Sequence, residues 1–189
     1  MGRTRVIDQE AILDAAERVV GRDGTVRLTL DAVAKEAGIS KASVLYDYKS
    51  KQTLIEKIVE RAFRRDHEHH AAVEAQLAGG DDHVILGRIT AASTPPPETF
   101  RAVALNLSAA LTLDQDLRQQ MRTNQSAVIS RVMDTATAPR GALLAYLALE
   151  GLKLLEHLDF HQFEPTERAR IIKEIAWLAR VTPETPGEK

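Results

Sequence analysis

Apolar residues recur at steps of three and four along most of the chain, and no β-branched, alternating run of any length appears, so the pattern predicts helices throughout. Ile12, Ala15, Ala16, Val19 and Val20 form a first stripe, which Arg22-Asp23-Gly24 should end because glycine stops helices well. Leu30, Val33, Ala34 and Ala37 follow at i, i+3, i+4 and i+7, a two-turn helix with Thr29 placed to cap it and Gly38 to terminate it. Ser40 is placed to cap a third, short helix. Ser50 is placed to cap a fourth, running from Lys51 to about residue 78 through Leu54, Ile55, Ile58, Val59, Ala62 and Phe63. After Gly79-Gly80-Asp81-Asp82 the pattern predicts a short helix over 82–92, a turn through Ser93 to Pro97, and a helix over 97–111 whose proline and acid suit a helix start. Asp114 begins another, to about Ala136. Pro139 separates this from GALLAYLALEGLKLLEHL, and a last helix starts near Pro165-Thr166-Glu167 and carries Ile171, Ile172, Ile175, Leu178 and Val181. The expectation is an all-α fold of about nine helices, with the tail TPETPGEK disordered.

The composition, 44% hydrophobic and 28% charged over 189 residues, fits a globular protein with a real core. There is no cysteine, which excludes disulfides and thiolate metal or redox sites. No apolar run is long enough for a membrane span, and the start MGRTRVIDQE lacks the apolar stretch of a signal peptide, so a cytoplasmic protein is expected. Charge changes the picture more. Residues 1–65 hold 13 basic against 10 acidic residues, and residues 66–189 hold 12 against 17. A basic first third on an acidic remainder suggests that the first third meets a polyanion.

The segment GISKASVLYDYKSK, residues 38–51, says which one. Thr29–Ala37 and Ser40–Asp47 have the spacing of a helix-turn-helix: a small Ala34 where two helices cross, Gly38 in the turn, and Val44 packing the second helix back. With Ile39, Val44 and Tyr48 inward, Lys41, Ala42, Ser43, Tyr46 and Asp47 face outward. Small residues and donors near a helix start suit a DNA major groove. Lys49 and Lys51 flank Ser50 at the next helix start, where backbone N–H groups already favour a phosphate. The expected DNA contacts are Thr29, Ser40, Lys41, Ala42, Ser43, Tyr46, Lys49 and Lys51. Arg3 and Arg5 either reach a minor groove as a basic arm or stay unbound.

Residues 11–55, AILDAAERVVGRDGTVRLTLDAVAKEAGISKASVLYDYKSKQTLI, resemble the TetR family of bacterial transcription regulators, whose pattern is close to "ILDAA…F…G…T…IA…AGVSKG…Y.HF.SK..L". The resemblance implies a ligand-responsive transcriptional regulator, a repressor that binds a palindromic double-stranded operator as a homodimer and is released by a small molecule. The C-terminal helices would form both the dimer interface and the effector pocket. It divides the chain into a DNA-binding domain over 1–50, a ligand-binding and dimerisation domain over 51–182, and a tail over 183–189. Two positions depart from the pattern. The commoner form has tyrosine at Leu45 and histidine at Tyr46, and a variant spelled "LLYHF" has histidine where this chain has Asp47. Asp47 either pairs with a lysine or accepts from a cytosine amino group, and the pairing is favoured here.

The segment 141–158 is apolar around most of its circumference and must be buried on several sides. Gly141, Ala145, Ala148 and Gly151 would allow close helix approach, with Leu143, Leu147, Leu154 and Leu158 facing the domain's own core. Together with Ile172, Ile175, Trp177 and Leu178 this helix is the candidate half of a four-helix dimer interface. A largely apolar effector would lie among the middle helices, lined by Leu86, Ile89, Phe100, Ala104, Leu107, Leu111, Met121 and Tyr146, with Arg101, Asn106, Arg122, Asn124 and Gln125 as candidate polar anchors.

Asp66-His67-Glu68-His69-His70 is the most tempting metal cluster, since Asp66 and His70 are i, i+4, but it lies past the apolar stretch of its helix and reads as a solvated face. No metal and no cofactor is expected. The P-loop, dinucleotide, GxSxG and HExxH patterns are absent. The alternative, an all-α enzyme or metal- or cofactor-binding protein, finds its nearest support in Glu156, His157 and His161, an incomplete pairing. A helical adaptor would leave the chemistry of residues 38–51 unexplained.

Overall fold

The computed structural model describes residues 8–77, 80–95 and 98–184, apart from the side chains of residues 99, 100 and 108–113. Arg3, Arg5, Gly79 and the last five residues of the tail lie outside it. The described residues form nine α-helices and no strand: α1 Gln9–Arg27, α2 Leu30–Ala37, α3 Lys41–Asp47, α4 Lys51–Gln76, α5 His83–Ala91, α6 Glu98–Leu113, α7 Gln115–Asp134, α8 Pro139–His157 and α9 Pro165–Leu178. The signals read from sequence mark these ends. Asp114 accepts from the N–H groups of Asp116 and Leu117 at 2.9 Å, and α8 and α9 each open with proline. Gly24 does interrupt α1, with φ 78° and ψ 165°, before a last turn to Arg27. A Cβ there would lie 3.1 Å from Asn106 Oδ1, so the break also needs the missing side chain.

The helices form two compact units. Among the described residues, the first holds those up to 64 together with 98–117, and the second holds those of 65–95 and 118–184. In the first, α1 is the spine. It buries Ile12, Leu13, Ala15, Ala16, Val19 and Val20 against Val33, Val44, Leu54 and Ile58, and α6 packs along it with Leu107 in the same core. Packing therefore groups α6 with the amino-terminal helices, although its sequence set it among the middle helices after residue 50. The functional division at that residue stays a proposal.

In the second unit α8 and α9 pack on one another and on α5, around Val84, Ile85, Ile89, Val132, Ala145, Tyr146, Leu149 and Ile175. Arg168 and Glu156 form a buried ion pair at 2.7 Å, and the same guanidinium donates to the carbonyls of Ala92 and Ser93 at the end of α5. All three helices are thereby joined at one charge, and every donor used has an acceptor. Asp82, at φ 65°, accepts from the Thr137 N–H at 2.8 Å and ties the start of α5 to the turn before α8.

The expected faces of α8 need correction. Gly141 and Ala145 are buried inside the unit, while Ala148 and Gly151 are exposed, so the four small residues do not share one surface. Leu147 and Leu154, expected in the core, are each 54% exposed, and Leu143 and Leu158 are half-buried. The inward side is taken instead by Ala142, Ala145, Tyr146, Leu149 and Leu152. A Cβ on Gly141 would lie 2.0 Å from the carbonyl oxygen of Val181, whereas one on Gly151 meets nothing within 4 Å. Gly141→Ala must push the chain after α9 away from α8 and should cost about 1–3 kcal/mol, as overpacking does. Urea denaturation measures it, and an unchanged midpoint would contradict the close approach.

Candidate nucleic-acid interface

The helix-turn-helix is built by three caps. Thr29 Oγ1 accepts from the Ala32 N–H at 3.0 Å and starts α2. At its other end Gly38 takes φ 66°, which lets the Ile39 N–H reach the Ala34 carbonyl at 3.0 Å and the Gly38 N–H reach that of Lys35 at 3.3 Å, the paired bonds of a Schellman turn. A Cβ at Gly38 would meet nothing within 4 Å, so backbone angle rather than space demands the glycine. Ser40 then caps α3, accepting from the Ser43 N–H at 3.1 Å. Val33, Ala34, Val44 and Tyr48 are buried beneath the motif.

This leaves Lys41, Ala42 and Tyr46 of α3 in solvent, Tyr46 at 76% exposure. Ser43 is half-buried and shares a 2.8 Å hydrogen bond with the Ser40 hydroxyl, so it stands less openly than expected. Lys41 reaches Asp31 of α2 at 2.7 Å, an exposed pair of the kind worth about 0–1 kcal/mol and easily exchanged. Lys49 donates to the Tyr46 carbonyl at 2.9 Å and lies 5.5 Å from the centre of that ring. Ser50 Oγ caps α4, accepting from the Thr53 N–H at 3.0 Å, and Lys51 beside it donates to the Val26 carbonyl at 3.2 Å. Carbonyl acceptors place these two ammonium groups without neutralising them. Asp47 pairs with no lysine among the described residues. It accepts from Gln9 Nε2 at 3.0 Å, a side chain 38 residues away on α1.

Behind this face lies an ion network that sequence reasoning missed. Arg61 of α4 is fully buried, with Glu17 at 2.7 Å, Asp14 at 2.9 Å and Glu10 at 3.2 Å, all from α1. Burial alone would lower its pKa, and the hydrogen bonds and charges of Glu17, Glu10 and Asp14 more than offset this and raise it. Arg18 and Arg22 both bond Glu36 of α2 at 2.9 Å and hold that carboxyl below the usual range. Acids at 10, 14 and 17 fall on one helical face, which was the available signal.

The residues expected to line an effector pocket divide between the units. Leu107 is buried in the first and Ala104 is half-buried, while the side chains of Phe100 and Leu111 lie outside the described residues. Ile89 and Tyr146 are buried in the second unit, where Leu86 and Met121 are half-buried. Of the polar anchors, Gln125 accepts from the Tyr146 hydroxyl, Asn106 donates to the Ala102 carbonyl at 2.8 Å, and Arg122 is exposed. Among the candidate metal ligands His70 is buried, 3.3 Å from Asp66, and so belongs to the interior rather than to a solvated face; His67 and His69 are exposed. The Glu156 carboxylate is taken by Arg168, and His161 lies after α8 with its ring edge-on to Phe163.

Residues 12–58 match the family described as bacterial regulatory proteins of the tetR family, and residues 86–180, half of the chain, match the tetracyclin repressor-like C-terminal domain. The chain belongs to the TetR family. It is thus a ligand-responsive, DNA-binding transcriptional regulator, as the resemblance implied. The HTH-type transcriptional regulator BetI of Agrobacterium fabrum is 28% identical over 163 residues, covering 79% of this chain and 77% of that protein. Two solved structures share the fold. One, from Saccharomonospora viridis, is a transcriptional regulator in complex with choline, at 16% identity with a TM-score of 0.71 over 89% of this chain and 94% of that one. The other, a regulator from Rhodococcus sp. Rha1, is 19% identical with a TM-score of 0.70 over 92% and 98%. TetR-family regulators bind DNA and small-molecule effectors, and no helix among the described residues is long and apolar enough to cross a membrane.

In this TetR-family head the turn and caps set stability as well as recognition. Gly38→Ala should destabilise by about 1–2 kcal/mol, the cost of a side chain in the left-handed region, and Ser40→Ala by about 1 kcal/mol, the usual effect of removing an N-cap. Thermal melts of both variants check this. A Gly38→Ala protein as stable as the parent would mean that the turn does not hold the positive φ.

Proposed function

We propose that this regulator acts as a homodimeric repressor in the cytoplasm, binds a palindromic operator through α3 of each protomer, and is released by a largely apolar small molecule held in residues 51–182. The observation that carries the DNA part is the uncompensated Lys49 and Lys51 beside the exposed α3 face at the capped start of α4. Tyr46, Ala42, Lys41 and Ser43 would meet base edges, while Thr29, Ser40, Lys49 and Lys51 would hold phosphates. Two heads read a palindrome on one face of the duplex when they sit about 34–36 Å apart. An effector acts on that spacing only through its different affinities for the DNA-binding and released states. The helix α4 is the natural carrier of the change, because residues 51–64 belong to the first unit and 65–76 to the second. A choline complex in a protein of the same fold supports a small organic effector.

The dimer rests on Leu147, Ala148, Gly151 and Leu154 of α8 with Trp177 of α9, an exposed apolar set on two packed helices. Sedimentation should give a dimer at micromolar concentration, and a monomer would remove this reading. Gly151→Leu should weaken dimerisation more than Lys153→Ala, and equal dissociation constants would count against the interface.

Phosphate and base recognition separate by salt. Lys51→Ala should weaken operator and scrambled duplex alike, lowering the salt slope by about 0.9 for each phosphate that a protomer no longer neutralises. Ser43→Ala and Lys41→Ala should change sequence preference, by about 1–3 kcal/mol for each good interaction with a base edge that is removed. Operator and scrambled-duplex affinities over a salt series, on folded dimeric variants, decide both. An unchanged slope for Lys51→Ala excludes the phosphate role, and unchanged preference in both other variants excludes α3 as the reader.

A further inference from the structure

The second unit matches most of its inner charges in pairs. Asp66 lies against His70, Glu74 bonds Arg131, and Glu150 bonds Lys153 at 2.9 Å. Arg88 of α5 stands outside this pairing. It is 5% exposed, its Nε has no hydrogen-bond partner, and no ion pair reaches it among the described residues. The ring of Tyr146 lies 5.9 Å from its guanidinium carbon. Burial resists the ionisation of Asp66, but its hydrogen bond with His70 and the charges of His70, Lys153 and Arg88 outweigh this and hold the carboxyl below the usual range.

A guanidinium removed from water costs several kcal/mol unless acceptors meet its five N–H donors, and a cation over one aromatic ring returns only part of that. Asp66 contributes its charge without a direct bond, but nothing in the surroundings accepts from Nε. Tyr146 gives its hydroxyl hydrogen to Gln125, and burial with the nearby Glu150 pushes its pKa up to about 12, so it stays neutral. The buried His70 likewise has one ring nitrogen, Nδ1, unpartnered. Both α4 and α5 therefore bring polar atoms without partners into the interior of the second unit.

We propose that Arg88 is the anchor for an acidic effector: a small molecule with an apolar body and a carboxylate, whose acid group accepts from the unpartnered side of the guanidinium. This rests on the reading of the second unit as the effector domain and narrows its ligand to a chemical class. A carboxylate suits the planar fork of arginine, which it meets with two parallel hydrogen bonds. Arg88→Lys keeps the charge without the fork, and Arg88→Met keeps the length without the charge.

The probes are straight-chain carboxylates from butanoate to octanoate, with the matching primary alcohols as uncharged controls, and the readout is the melting temperature of the full chain. The parent should melt higher with the acids than with the alcohols, by mass action. Arg88→Met should lose that acid-dependent shift and, without ligand, should melt about 2–4 °C above the parent, because a buried guanidinium with no hydrogen bond at Nε and no direct ion pair has gone. Arg88→Lys should keep a smaller shift. The proposal is overturned if ligand-free Arg88→Met melts below the parent, which would mean the guanidinium is satisfied within the fold. It is equally overturned if Arg88→Met keeps the parent's acid shift, or if acids stabilise the parent no better than alcohols. Failure of the parent itself to bind DNA would sink the regulator reading and leave the melting result to stand alone.

Discussion

A guanidinium with no access to water must find acceptors or unfold its surroundings, and Arg61 imposes that requirement on the first unit. Its acceptors come from three successive turns of α1, so satisfying them fixes where α4 lies along α1 and not merely that the two helices touch. Glu10 and Asp14 keep about half of their side-chain surface in water, which spares the cluster much of the cost of burying acids as well as a base. Everything that faces DNA is then referred to the same spine. The Arg18 and Arg22 bonds to Glu36 set α2, the Gln9 bond to Asp47 holds the end of α3, and Lys51 begins the helix that Arg61 holds. The direction of the reading face is thus fixed by charges behind it, while the residues on it remain free to meet a ligand.

That division explains how the basic excess of the first third becomes useful. Much of the arginine is taken up by α1–α2 and α1–α4 pairs, where each positive charge meets a carboxylate. Lys49 and Lys51 meet carbonyl oxygens instead, which orient an ammonium but leave its charge whole. The excess of basic over acidic residues in this third is too small to attract DNA if spread evenly. It becomes a local field when the uncompensated cations sit together at the start of α4.

What could be read from the sequence was whatever is satisfied within a few residues. Thr29, Ser40, Ser50 and Asp114 cap helices by bonds to N–H groups two or three positions on, and Gly38 ends α2 through its own backbone angle, so spacing alone located the elements. Partners far along the chain were not legible. Asp47 is bonded across 38 residues and Arg61 across 44 or more, and no local pattern names such a partner. The faces of α8 failed for a different reason. A helix apolar on all sides has no preferred inward side until its neighbours are known, so Gly141 and Gly151 looked equivalent although only Gly141 lies under the carbonyls of Leu178 and Val181. Likewise α6 carried no mark of its place beside α1, since its apolar residues suit either unit.

Arg61 and Arg88 show what burial alone does not decide. Both guanidinium groups are shielded from water and each has one nitrogen without a hydrogen bond, yet Arg61 has three carboxylates and a carbonyl within reach, and Arg88 has an aromatic ring and no direct ion pair among the described residues. The first charge is met by carboxylates before any ligand arrives, so its free energy goes into holding α4 in place. The second is completed only by an acceptor from outside, so the state in which that acceptor is present gains what the ligand-free protein lacks. A coupling between sites needs such a difference between states. Arg88 belongs to the second unit and the phosphate-binding lysines to the first, so a bound acid would shift the equilibrium through residues other than those that meet DNA.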